Sequence, residues 1–194
     1  MKQRSFAQIM CFALLSTTMI SAYAQKAEDV IANWPTNPKR VAGEVMKKYG
    51  EPNEATPTML VWHNNGPWKR TVLHVEEAPH LFPKPHTDML QQFIDYKVPP
   101  EKFDEVAMYD GSVVAERTVG EMSARCDKEE MNFLALNLAH DVATGGKTVQ
   151  EARDYYTRAV IDFVKGEMDP YVQKLQFDVP KGGTGDPDKT TIPQ

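Results

Sequence analysis

The chain has 194 residues, 41% of them hydrophobic and 25% charged, which excludes a fibrous or polytopic membrane protein and leaves a globular one. Its 22 Lys plus Arg against 27 Asp plus Glu give a net charge of -5. No basic surplus exists to neutralise a phosphate backbone, so nucleic acid is not an expected partner.

At the amino terminus Lys2 and Arg4 precede an apolar run from Ile9 to Ile20, followed by Ala22-Tyr23-Ala24. A basic end, a short apolar core and a small-x-small site predict a signal peptide over residues 1–24, cleaved before Gln25. The run is shorter than the roughly 20 residues a spanning helix needs, so no stable membrane anchor is expected after cleavage. Cys11 lies inside the run, behind the large residues Ile9 and Met10, which argues against lipidation. Cleavage leaves Cys126 as the single cysteine, so no internal disulfide is available.

The mature chain reads as one globular domain over residues 25–180. A helical turn is expected before Trp34-Pro35. Asn37-Pro38 then opens an amphipathic helix to Tyr49, with Val41, Ala42, Val45, Met46 and Tyr49 on one stripe and Gly50 closing it. Residues 59–63 and 68–75 are rich in strand formers and flank Asn64-Asn65-Gly66-Pro67, which predicts a hairpin. Pro67 has no N–H to close a turn centred on Asn65-Gly66, so the loop is expected to be slightly wide.

Residues 45–62 also resemble the helix, Tyr-Gly-x-Pro and hairpin opening of the SmpA/OmlA type of small envelope domain. The likeness covers under a tenth of the chain, lacks that group's lipidated cysteine and implies no function here.

Pro79, Pro83 and Pro85 predict an extended loop over residues 76–86, pinned by Leu81 and Phe82. Thr87 is expected to cap a short helix through Met89, Leu90, Phe93 and Ile94. A brief helical turn follows around Phe103 and Val106, then a hairpin turning at Asp110-Gly111. Asp127-x-x-Glu130 and Thr148-x-x-Glu151 read as capping boxes of a long helix pair, 128–143 and 149–165. The first of these is apolar on two sides, with Met131, Leu134, Ala135, Leu138 and Val142 opposite Phe133, Leu136 and His140, as a central helix should be. Residues 181–194 contain one large apolar residue and read as a disordered tail. The fold class is therefore α+β, with antiparallel hairpins packed on amphipathic helices and the helix pair in the C-terminal half.

Two groups of residues offer chemistry. Trp62 and Trp68 flank the hairpin beside Arg70 and form a candidate stacking surface for a sugar or peptide. Burial of both indoles against the neighbouring helix is the competing reading. His74, His80 and His86 recur every six residues and lead to Asp88, donors suited to zinc or copper. An extended proline-rich path of about 3.1 Å per residue would hold His80 and His86 about 19 Å apart, so they share an ion only if the loop folds back. Cys126 is expected to be a buried, unreactive thiol and His140 a hydrogen-bonded core residue.

No constellation here matches a catalytic motif. The expected function is a non-enzymatic exported binding or scaffold domain of a bacterial envelope, periplasmic or secreted, with a small molecule or an envelope protein as partner and no cofactor. The alternative is a zinc- or copper-dependent protein, hydrolases included, using the 63–88 segment.

Overall fold

A computed structural model describes residues 26–192. The expected signal peptide falls on residues outside that range. The protein is a single α+β unit built on a six-stranded antiparallel sheet of order β1-β2-β3-β4-β6-β5. The strands are β1 (Glu54–Thr56), β2 (Met59–Asn65), β3 (Trp68–His80), β4 (His86–Asp95), β5 (Val113–Glu116) and β6 (Glu121–Cys126). The helices are α1 (Ala27–Ile31), α2 (Thr36–Tyr49), α3 (Phe103–Tyr109), α4 (Glu129–Thr144), α5 (Val149–Lys165) and α6 (Pro170–Gln173). None of them is long and apolar enough to cross a membrane.

Cross-strand register assigns the sheet faces. Leu60 pairs with Leu73, Leu73 with Leu90 and Leu90 with Cys126, so these residues share one face, and all four are buried. The next alternate row, Trp62, Thr71, Gln92 and Ala124, lies on the same face and is also buried. This is the face that α2 and α4 cover. The opposite face carries His63, Arg70, His74, Gln91 and Arg125, which are half-buried or exposed.

The expected two-sided helix is α4: Leu134, Leu136 and Leu138 are all fully buried, because the sheet covers one side and α3, α5 and α6 the others. At the start of α5 the Thr148 and Glu151 side chains exchange hydrogen bonds with each other's backbone N–H, completing the predicted capping box. The box expected at Asp127 does not form. Lys128 occupies the N-cap of α4 without a side-chain bond, and Asp127 turns toward Cys126 instead.

Several local expectations are corrected. The β2–β3 turn is tight, because Asn65 pairs with Trp68 and the two central residues are Gly66 and Pro67. Shifting the turn by one residue gives the closing position to Trp68, which has the N–H that Pro67 lacks. Gly66 adopts a positive φ of 61° and lies so close to Tyr49 that a Cβ would stand 2.9 Å from its ring.

Residues 76–80 are strand, not loop, with Pro79 opposite Thr87. Pro79 is tolerated because β2 ends its pairing with β3 at His74, leaving that edge without a partner that needs an N–H. Residues 86–95 form a central strand, not a helix. Spacing of the apolar residues at 89, 90, 93 and 94 suits either element, and tertiary pairing on both edges decides for the strand. Asp110-Gly111 does not turn a hairpin; Asp110 Oδ1 accepts from Ser112 N and Oγ, both at 2.8 Å, and steers α3 into β5.

The start of the tail read as disordered is docked. Thr184 is buried and its hydroxyl donates to Gly120 O at 2.7 Å, while Asp186 N donates to Arg117 O at 3.0 Å. Arg117 pairs with Asp186 and Asp188. Backbone and charge contacts hold this segment, so its lack of apolar residues does not release it.

Candidate metal centre

The β3–β4 hairpin builds the site. Between Leu73 and Ala78 the register shifts by an irregularity in β3, so that Leu73 pairs with Leu90 and Ala78 with Asp88. Five residues on β3 are thus matched to two on β4. This odd count reverses the alternation: His74 points to the outer face, whereas His80, six residues later, points to the core face. His80 then pairs directly with His86, and Asp88 follows two residues on, on the same face.

The loop does fold back, and the two imidazoles that an extended path would separate lie with ring centroids 4.9 Å apart. His80, His86 and Asp88 each offer a donor atom within 4.8 Å of the other two. His80 Nδ1 stands 3.0 Å from Asp88 Oδ2 and His86 Nε2 stands 3.0 Å from Asp88 Oδ1.

These contacts are close without being well-directed hydrogen bonds. Asp88 Oδ1 and His80 Nδ1 are both fully buried and have no hydrogen-bond partner. Buried polar atoms are normally paired, and leaving one unpaired costs about 1–3 kcal/mol. Two imidazoles and a carboxylate in this arrangement could hold one metal ion. Two such donors about 2.0–2.1 Å from a tetrahedral zinc would stand about 3.3 Å apart, close to the spacing seen.

The surrounding groups orient these donors. His86 Nδ1 donates to Lys84 O at 2.8 Å, which directs its Nε2 to the site. The close approach of the Asp88 carboxylate raises the His86 pKa above its ordinary value, against the opposing effect of burial. His80 Nε2 lies 3.7 Å from the buried Asp110 carboxylate, a longer contact that backs the second imidazole with negative charge. Asp110 escaped the sequence reading because it lies in a different element; its Asp-Gly-Ser turn signal was legible, but its approach to His80 was not.

Cys126 Sγ lies 3.5 Å from His86 Nε2. Burial pushes the thiol well above its ordinary pKa, and the charges of Asp127 and Asp88 push the same way. Both effects favour the thiol over the thiolate.

A cavity of about 340 Å³ opens beside His86 and Cys126, between the β3–β4 loop and α5. Phe82 folds that loop down, with its ring 5.2 Å from Tyr156 and under the Arg153 guanidinium at 3.8 Å.

The other candidate residues lie elsewhere. His74 is half-buried on the outer face beside Arg125; burial, then that cation, lowers its pKa, and it does not join the cluster. The stacking surface is corrected by burial: Trp62 and Trp68 are 2% and 1% exposed. Trp62 Nε1 donates to Gly50 O at 2.9 Å, and Trp68 stacks on Phe133 at 4.7 Å. Arg70 is held by Glu121 at 2.9 Å and lies 3.9 Å over the Phe93 ring, so it shares no site with either indole. His140 stacks on Phe177 at 4.2 Å and shares a 2.8 Å hydrogen bond with Tyr96, as a core histidine would.

No family model, curated protein or solved structure matches this chain.

Proposed function

We propose that this protein is an exported metal-binding domain that holds a divalent transition-metal ion, zinc first, on His80, His86 and Asp88. The observation that carries this reading is the convergence of two imidazoles and a carboxylate within 4.8 Å, with buried donor atoms unpaired among themselves. Two histidines and one carboxylate are a sufficient protein donor set for zinc, and three such ligands leave a coordination position for water or a ligand. Iron(II) uses the same donor types, so zinc and iron are to be compared directly.

Such an ion would act as a Lewis acid and lower the pKa of bound water toward about 7. The chain's own part is to fix the donors: the β3 irregularity turns His80 inward, Lys84 O orients His86, and Asp110 stands behind His80. This reading takes up the metal-dependent alternative drawn from the sequence, on His80, His86 and Asp88 without His74, and the Trp62–Trp68–Arg70 surface drops out of it.

Metal analysis and isothermal titration of the mature chain test the proposal. One zinc per chain with a Kd below about 1 μM is expected, reduced at least 100-fold in His86→Ala and Asp88→Asn. His63→Ala, at an exposed pair with Glu54, is the control and should bind as the parent does. A folded parent protein that takes up neither zinc nor iron, or a His86→Ala variant of unchanged affinity, would overturn it.

A further inference from the structure

The cavity beside His86 has a polar end and an apolar body, and the two ask for a ligand of mixed character. The polar end is formed by His86, Cys126 and Asp127, with Lys84 and Lys128 beside them. Its apolar walls come from Pro83, Met131, Tyr156, Val160, Phe163 and Val164. The volume of about 340 Å³ lies at the lower end of the range for small-molecule pockets.

Charge selects the head of that ligand. Lys128 is shared with Asp127 at 3.3 Å, whereas Lys84 stands exposed on the loop that carries His86. A bound divalent ion adds two positive charges, and with Lys84 and Lys128 these exceed the carboxylates of Asp88, Asp110 and Asp127 by one. An anion is favoured over a cation at this end.

The walls select the tail. The α5 side of the cavity ends at Val164, which is 67% exposed, and Ile161 nearby on the same helix is 50% exposed. Val164 lies in the cavity wall with Val160 and Phe163, so a ligand chain lying along these residues would cover it. We propose that this cavity binds a medium-chain monocarboxylate, its carboxylate directed to the metal and Lys84 and its alkyl chain lying along Val160, Phe163 and Val164. This proposal rests on the metal-binding reading of the same site and adds the class of its ligand.

Calorimetric titration of the zinc-loaded mature chain with octanoate tests it, with butyrate and octylamine as comparisons. Octanoate should bind at least tenfold more tightly than octylamine. Each methylene added from butyrate should tighten binding by up to about fourfold, the equivalent of about 0.8 kcal/mol. The zinc-free protein should bind octanoate at least tenfold more weakly.

Val160→Trp fills the cavity and Val164→Asp places a charge on its exposed lip. Both should keep one zinc per chain and lose octanoate at least tenfold, and the second is a surface change that should not compromise folding. Zinc bound at one per chain without octanoate binding overturns the ligand assignment and leaves the metal reading standing. So does octanoate binding that is indifferent to zinc or to Val164→Asp. Failure to bind zinc at all overturns both.

Discussion

Trp68 Nε1 donates to Glu129 Oε1 at 2.6 Å, so the first residue of β3 is bonded to the first residue of α4 across 61 positions of sequence. The same oxygen accepts from Tyr49 Oη at 2.6 Å and from Gln92 Nε2 at 3.1 Å, while Lys48 pairs with the other oxygen. One carboxylate thus joins α2, β3, β4 and α4 on the core face of the sheet.

Replacing that carboxylate should be costly. Glu129→Ala leaves the Trp68, Gln92 and Tyr49 donors without their acceptor, and each buried donor left unpaired typically costs about 1–3 kcal/mol; the exposed Lys48 ammonium adds little. Tyr49→Phe removes only one donor and should cost about 1 kcal/mol. Urea unfolding of both variants and of the double variant checks this, with a large coupling between the two sites as the expected result. Equal, small losses would show that the network carries no stability.

Acid should destabilise the fold through Glu129 and Glu121. Burial pushes both carboxyls up, but Lys48, Tyr49 and Trp68 hold Glu129 below its ordinary value of 4.5, and Arg70 with Lys69 does so for Glu121. A carboxylate whose folded pKa is depressed contributes stability that is fully present above its unfolded pKa. That contribution should fade as pH falls from about 4.5 through the lower folded values. Thermal unfolding between pH 7 and 3 should show Tm falling on the acid side, and Glu129→Gln should flatten the fall.

The two faces of α4 should be equally intolerant of truncation. Leu136 and Leu138 point in different directions and both are 0% exposed, so Leu136→Ala and Leu138→Ala should each cost about 2–5 kcal/mol. A loss below about 0.5 kcal/mol at Leu136 would mean that its side of the helix is not covered in solution.

Cys126 should resist alkylation in the native protein and react readily in denaturant, since its thiol is buried and its pKa is raised. Equal rates in the two conditions would show an open thiol and contradict the geometry beside His86.

The helices were legible because their signals are local. Thr148-x-x-Glu151 closes its own capping box, and the stripe of Val41, Ala42 and Val45 is a property of one turn after the next. β4 was not legible, because Met89, Leu90, Phe93 and Ile94 satisfy a helix and a doubly buried strand alike, and only pairing with β3 and β6 decides between them. The site shows the same division. Its donors are legible in the six-residue recurrence of histidine leading to Asp88, but which histidine is left out depends on the β3 irregularity. Equal spacing made His74 as good a candidate as His86, and the phase change after Leu73 removed it.

That phase change also separates two jobs within one strand. Up to Leu73, β3 is positioned by the apolar rows it shares with β2 and β4; from Ala78 onward, its alignment with β4 is carried to His80 and His86 at the closing loop. All three donors lie within the eleven-residue stretch from Ala78 to Asp88. The tip is therefore a separate register block mounted on the sheet, tied back to the body by the buried Asp88 and by Phe82 against Tyr156.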